Sequence, residues 1–429
     1  MEKKILNPIP TIKTLLILIL VVLSIFLAAQ LWLVQFTSQS FVPYVQARFA
    51  PTVPEDASQL VRPFRIVTGA GDGYFTAKYS GIETSPIWGQ GQEIIGEVLE
   101  NGTFVQVHSM YNQEILNHPI AIFQYAFCMD TEIFAPAIGR SGAILTDRNI
   151  HNFRSIGVLP PKEGNTTTIF FICTGYMWEF TVTPSANRAQ DLYISIPSAA
   201  NLQRRYTAAP DGIHFVMELD RHFTYHPALA INPYVNNAGF LHLSFIGQQV
   251  SHFFDNPATI NPGVSAATQI YTFSNLRTVV RYHPWNVLEY SSFRTIGRTG
   301  PTSLVSDFSA AFAFVRNDPN VVNEFYLAGY ETRGRETVFW FNYVIDNFPL
   351  VLPEPWHTGP ECQSPLIYPI EVVVDHGRVV RYRKIVYNFV IDPSITASPH
   401  SNLLGENLAF HIGQPGEHIR LRPVAGGDD

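Results

Sequence analysis

Asp220, His222 and His226 stand together in the run DRHFTYHP. Neutral imidazoles bind zinc, and two histidines four apart converge on one face of a helix. Pro227 and the Thr-Tyr content oppose a helix here, and HExxH occurs nowhere in the chain. Polar side chains on a strand or loop are therefore the favoured reading. Glu93, Glu97 and Glu100 offer paired carboxylates of the kind acid–base catalysis uses. Their spacing more often marks the solvated side of a helix, with Gly96 an ordinary helical blemish. Gly69-Ala70-Gly71-Asp72-Gly73 lacks the Lys-Ser/Thr of a phosphate loop and the third glycine of the dinucleotide fingerprint, so it reads as a turn between strands. Gly139-Arg140-Ser141-Gly142 has two residues between its glycines, where a GxSxG elbow needs three. No serine stands three residues before a lysine. These motifs assemble no active site, and the expectation is a protein that is not an enzyme and uses no cofactor or metal, although catalytic groups can also converge from distant positions.

The cysteines are Cys128, Cys173 and Cys362, without a CxxC pair. That disfavours zinc knuckles and thioredoxin-type chemistry. A Cys128–Cys173 bridge is possible by count; buried free thiols are favoured. Net charge is −7, and no basic block occurs beyond the N-terminus. Nucleic-acid binding needs a clustered cationic face and is disfavoured.

The elements that would position any site follow from the hydropathy pattern. Residues 15–34 read LLILILVVLSIFLAAQLWLV, without a formal charge. At about 1.5 Å per residue such a helix spans about 30 Å, the thickness of a bilayer core. Lys3, Lys4 and Lys13 precede the run, and Arg48 is the only basic residue in the twenty-five that follow it. The positive-inside rule puts the N-terminus in the cytoplasm and the remainder outside. A cleaved signal peptide is the rival; Leu27 at the −3 position of Ala28-Ala29 departs from A-x-A. Ser24 and Ala28 form a small-xxx-small pair and Gln30 is an amide within the apolar run, features that suit a partner helix. A plain tether with Gln30 reaching the headgroups is the alternative.

The organisation expected is α+β: a cytoplasmic tail at 1–14, a transmembrane helix at 15–35 and a linker at 36–60. Three extracytoplasmic mixed α/β domains then follow, at 61–200, 201–300 and 301–400, with a loose tail at 401–429. Helices are expected near 85–100, 241–254 and 304–315, and short strands elsewhere, including 192–196. The last two domains share an order of helix, Asx-Pro break and strand meander. Asp255-Asn256-Pro257 in one answers Asn317-Asp318-Pro319 in the other, so a shared topology is expected.

IKTLLILILVVLSIFLAAQLW, FFDNPATI…TQIYTFSNLRTVVRYHPWNVLEY and FYLAGYETRGRETVFWFNYVIDNFPL…PIEVVVDHGRVVRYRKIVYNF follow one another along the chain. In order and spacing the chain resembles the YycH-type regulators of Gram-positive bacteria. The resemblance runs from about residue 12 to about 389. It implies one anchor helix, a three-domain outer part and no catalytic residues. It also implies action with a YycI-like membrane protein on a sensor histidine kinase of the WalK (YycG) type that controls cell-wall metabolism. The rival class is a cell-envelope enzyme, or a wall- or ligand-binding protein, on the same anchor.

Overall fold

A computed structural model describes residues 60–108, 113–140, 142–173, 176–185, 187–196, 204–208, 215–219, 228–231, 243–293, 303–345, 347–351, 366–391, 408–411 and 420–423. The chain divides into two compact units, Met1–Pro54 and Glu55–Asp429. Every described residue belongs to the second.

Nine antiparallel strands form the first sheet. They are β1 (Arg65–Ala70), β2 (Phe75–Lys78), β3 (Thr103–His108), β4 (Pro119–Asp130), β5 (Asn152–Leu159), β6 (Thr167–Cys173), β7 (Tyr176–Val182), β8 (Arg204–Ala208) and β9 (Phe215–Leu219), in the order β3-β7-β6-β5-β4-β1-β2-β8-β9. Strand β6 reads TTIFFIC and buries consecutive residues, as a strand covered on both faces must. Helix α1 (Pro86–Asn101) has Pro at its start, where the missing N–H costs nothing. It buries Trp88, Gly91, Ile94, Ile95, Val98 and Leu99, a stripe at helical spacing. A Cβ on Gly91 would fall 2.2 Å from the ring of Phe123, so only glycine lets the helix lie this close to β4. Helices α2 (Thr131–Ala137), α3 (Ala143–Thr146) and α4 (Arg188–Ser195) complete the layer. The strand expected at 192–196 is instead the end of α4. Ala189 and Leu192, three apart, are its buried residues, and packing on α1 overrides the short apolar run.

The second sheet follows the pattern expected of the two later domains, but as one surface. After α5 (Leu243–Val250) and the 3-10 turn Ser251–Phe253 come β11 (Asn261–Val264), β12 (Tyr271–Ser274), β13 (Thr278–His283) and β14 (Val287–Ser292). After α6 (Leu304–Arg316) come β15 (Glu324–Arg333), β16 (Glu336–Ile345), β18 (Ile370–Asp375) and β19 (Arg378–Ile385). Each set is a helix followed by a four-stranded antiparallel meander. The meanders join through their last strands, β14 and β19, with Glu289 opposite Arg383. Residues 243–293 and 303–385 therefore meet in a continuous sheet, while β8 and β9 extend the other one. A short pair, β10 (Ala228–Ile231) with β20 (Asn388–Ile391), stands apart. Strand β17 (Phe348–Val351) pairs parallel with β21 (Leu408–His411), and β21 pairs with β22 (Arg420–Pro423). The tail expected to be loose thus carries two strands, because the open edge of β17 templates pairing. Strand β15 packs on β4 of the first sheet, with Phe127 and Tyr330 edge to face at 5.4 Å.

Candidate functional site

The anchor run with Ser24, Ala28 and Gln30, and the cluster of Asp220, His222 and His226, lie outside the described residues. Among the described residues no helix is long and apolar enough to cross a membrane, and no three His, Cys, Asp or Glu side chains gather as a metal group. Cys128 and Cys173 are free, the first exposed and the second half-buried. The expectation of buried thiols is corrected for both, since each stands near the end of its strand. Gly69–Gly73 joins β1 to β2, with Asp72 accepting from the Tyr74 N–H at 3.1 Å.

The three glutamates of α1 do more than face water. Arg188 of α4 donates to Glu93 and Glu97, each at 2.9 Å. Arg140 reaches Glu100 at 2.7 Å, and Ser185 caps Glu97 with its N–H at 2.7 Å. A Cβ on Gly96 would stand 2.8 Å from Arg140 Nε. Gly96 is therefore the gap through which Arg140 passes. This network fastens α1, α4 and the turn after α2 together; Glu93 and Glu100 are exposed and the two arginines partly so, which keeps the contribution of their ion pairs small, while Glu97 is the most buried member.

A different cluster lies at the seam of the second sheet. Asp318, directly after α6, and Lys384, on β19, are each 1% exposed. Lys384 Nζ donates to Asp318 Oδ2 at 2.6 Å, and the Tyr382 hydroxyl donates to the same oxygen at 2.9 Å. The Asn320 N–H donates to Oδ1 at 2.9 Å, and His252 Nε2 stands 3.4 Å from that oxygen. Asn320 also donates to the Gln249 carbonyl at 3.3 Å, which ties this turn to the end of α5. Burial alone would raise the Asp318 carboxyl. The charge of Lys384, with the neighbouring His252, outweighs it and holds the group well below the usual carboxylate range. Burial lowers Lys384, and Asp318 offsets part of that. A carboxylate filled in this way stays ionised near neutral pH and acts as a lock between the helices and the seam, not as a proton donor. In the sequence Asp318 stands as part of the Asx-Pro break Asn317-Asp318-Pro319. The available signal was a lysine that breaks the alternation of the strand RVVRYRKI and precedes Ile385-Val386, in a chain with only six lysines.

Beside this lock, α6 and the seam strands leave a cavity of about 390 Å³. Tyr290, Ser292, Ala310, Ala313, Phe314 and Asn317 line it, with Arg378, Val379 and Val380 from β19. The rings of Tyr290 and Phe314 stand 5.0 Å apart, and Phe314 meets Tyr382 at 5.2 Å.

A third polar group clasps the two sheets. Asn347 Oδ1 accepts from the N–H of Tyr79 at 2.6 Å and of Ser80 at 3.1 Å, and its Nδ2 donates to the Ala77 carbonyl at 2.9 Å. Both oxygens of Glu324 accept from the Gly81 N–H, at 2.9 and 3.0 Å. Arg62 donates to the Phe325 carbonyl at 2.8 Å and pairs with Glu83. Burial pulls the Arg62 guanidinium down, while Glu83 and Glu324 pull it up. Leu60 and Val61, just before it, are buried in the core.

No protein-family model and no curated protein matches the chain. Among solved structures it is similar to YycH from Bacillus subtilis, at a TM-score of 0.44 and 9% identity, over 77% of this chain and 82% of that one. It is also similar to an uncharacterized protein from Eubacterium rectale, at a TM-score of 0.27 and 10% identity, over 48% of this chain and 70% of that one.

Proposed function

We propose that this chain is a membrane-anchored extracytoplasmic regulator of a sensor histidine kinase of the WalK (YycG) type, acting beside a YycI-like membrane protein. The observation that carries the reading is the uncharged run at 15–34 behind Lys3, Lys4 and Lys13, which has the length and flanks of a single span with its N-terminus inside. The ordered segments quoted above, which resemble the YycH-type regulators, support the choice of partner.

A kinase whose transmembrane helices have two arrangements responds to a further helix that prefers one of them. A preference of about 1.4 kcal/mol changes the ratio about tenfold. Interhelical contacts in lipid are about 0.6–2 kcal/mol, so the Ser24/Ala28 face and Gln30 are of the right size to act. The test is Gln30→Leu with Ala28→Ile, which keeps insertion and removes the amide and the close-approach surface. Crosslinking to the kinase and kinase output should both change while protein level holds. Wild-type crosslinking and output in this variant would overturn the helix as effector. Protease on intact protoplasts checks the topology: the body should be digested, and a protected C-terminal part would refute the orientation.

A further inference from the structure

We propose that the cavity between α6 and the β14–β19 seam binds a peptide C-terminus that ends in an aromatic or branched apolar residue. Its volume of about 390 Å³ is near the lower end of ligand pockets, about 300–1,000 Å³. That suits one large side chain with its carboxylate and the adjoining amide. The lining divides to match. Tyr290 and Phe314 give aromatic walls, and Ala310 and Ala313 are small residues that leave the space open. Ser292 and Asn317 supply hydroxyl and amide groups for a peptide bond, and Arg378 is the only charged residue in the lining. Guanidinium binds carboxylate through two parallel bonds, which is why arginine serves where a planar anion must be oriented.

The state of Arg378 is the second part of the argument. Its register partner across the β18–β19 hairpin is Asp375, and opposite charges so placed ordinarily pair. Here Asp375 Oδ1 stands 3.7 Å from His376 Nε2 instead. Among the described residues no hydrogen bond or ion pair engages the Arg378 guanidinium, which is exposed and lines the cavity. The lining holds no carboxylate that would repel an incoming one. The site is independent of the kinase reading, since it concerns only what the seam binds.

The experiment uses the full chain in detergent micelles, with N-acetyl-phenylalanine and N-acetyl-phenylalaninamide as probes and binding read by isothermal titration and ligand-observed NMR. The acid should bind about fivefold to tenfold tighter than the amide, because only it can use Arg378. Arg378→Gln should bring the acid down to the affinity of the amide. Ala313→Phe should weaken both by about tenfold by filling the cavity, with an unfolding midpoint near wild type showing that the fold is kept. Equal affinities for acid and amide, an unchanged acid affinity in Arg378→Gln, or no binding of the acid at about 20 mM would each overturn the proposal.

Discussion

The two meanders of the second sheet repeat one local device in opposite surroundings. After α5, Asn256 precedes Pro257 and its side chain accepts from the Ala258 N–H at 3.0 Å. After α6, Asp318 precedes Pro319 and accepts from the Asn320 N–H at 2.9 Å. The turn is the same: an Asx oxygen bonded two residues on, ahead of a proline. Asn256 is exposed, whereas Asp318 is sealed against Lys384, Tyr382 and His252. The outer strand of the first meander, β11, exposes all four residues. The outer strand of the second, β15, packs on the other sheet. Equal topology thus supports unequal burial: the second meander holds the body together, and the first lies at its periphery.

The sharpest way to break this contrast is Asp318→Asn. It leaves a turn-forming amide but strands the Lys384 ammonium in the core, which costs about 3–5 kcal/mol when one partner of a buried pair is removed. Urea unfolding of the full chain in detergent should show that loss. Asp318→Asn with Lys384→Met should recover most of it, because replacing both charges by apolar or neutral groups is near neutral. The acid limb gives the same information by another route. The folded-state pKa of Asp318 is lowered, so its contribution is present above the ordinary carboxylate value of about 4 and is lost as pH falls below it. Wild type should lose stability over that window, and Asp318→Asn should lack this component. A variant as stable as wild type, with the same acid limb, would mean that the pair locks nothing.

How much of this was readable follows from the range of each interaction. The helix at 304–315 and the strands of the two meanders other than β11 were legible because their apolar periods are local; β11 reads NPGV and exposes all four residues, so it carries no such period. The Asx-Pro breaks were legible for the same reason. The Asp318–Lys384 pair joins residues 66 apart, and nothing local marks one as the partner of the other. The row Arg281, Glu289, Arg383, Glu371 and Trp340 makes the point again. Each is one of several polar or aromatic residues in its own strand, and only the register across five strands sets them side by side. Strand 192–196 failed because five residues fit both periods, and packing against α1 decided. The domains expected at 201–300 and 301–400 follow from a repeat in the sequence. That repeat has no means of showing that β14 and β19 would pair.

A second test asks whether the second meander alone is fastened to the first sheet. Asn347 has φ +63, so Asn347→Gly keeps the backbone conformation and removes the side chain that makes the clasp. With three bonds lost, partly buried, the expected cost is about 1–3 kcal/mol. Hydrogen exchange should rise at Tyr79, Ser80 and β15 and stay unchanged at β13. Equal acceleration on both meanders would show that the clasp supports the whole body and that the asymmetry drawn above is wrong.

The smallest effect should fall on the peripheral counterpart of Asp318. Asn256→Ala removes the bond to Ala258 and the cap of the short turn Pro257–Thr259. Loss of such a cap costs about 0.5–2 kcal/mol in general, and the low end applies because the turn is exposed and water replaces the lost acceptor. No charge is stranded, and no pH dependence should accompany the change. Asn256→Asp should be equally mild, since an exposed carboxylate keeps both its turn bond and its hydration, whereas at 318 the choice between Asn and Asp decides whether Lys384 has a partner. Measuring the four single changes Asn256→Ala, Asn256→Asp, Asp318→Ala and Asp318→Asn in the full chain therefore separates the turn from its surroundings. If the changes at 256 cost as much as those at 318, the turn geometry carries the stability and burial of the ion pair adds nothing.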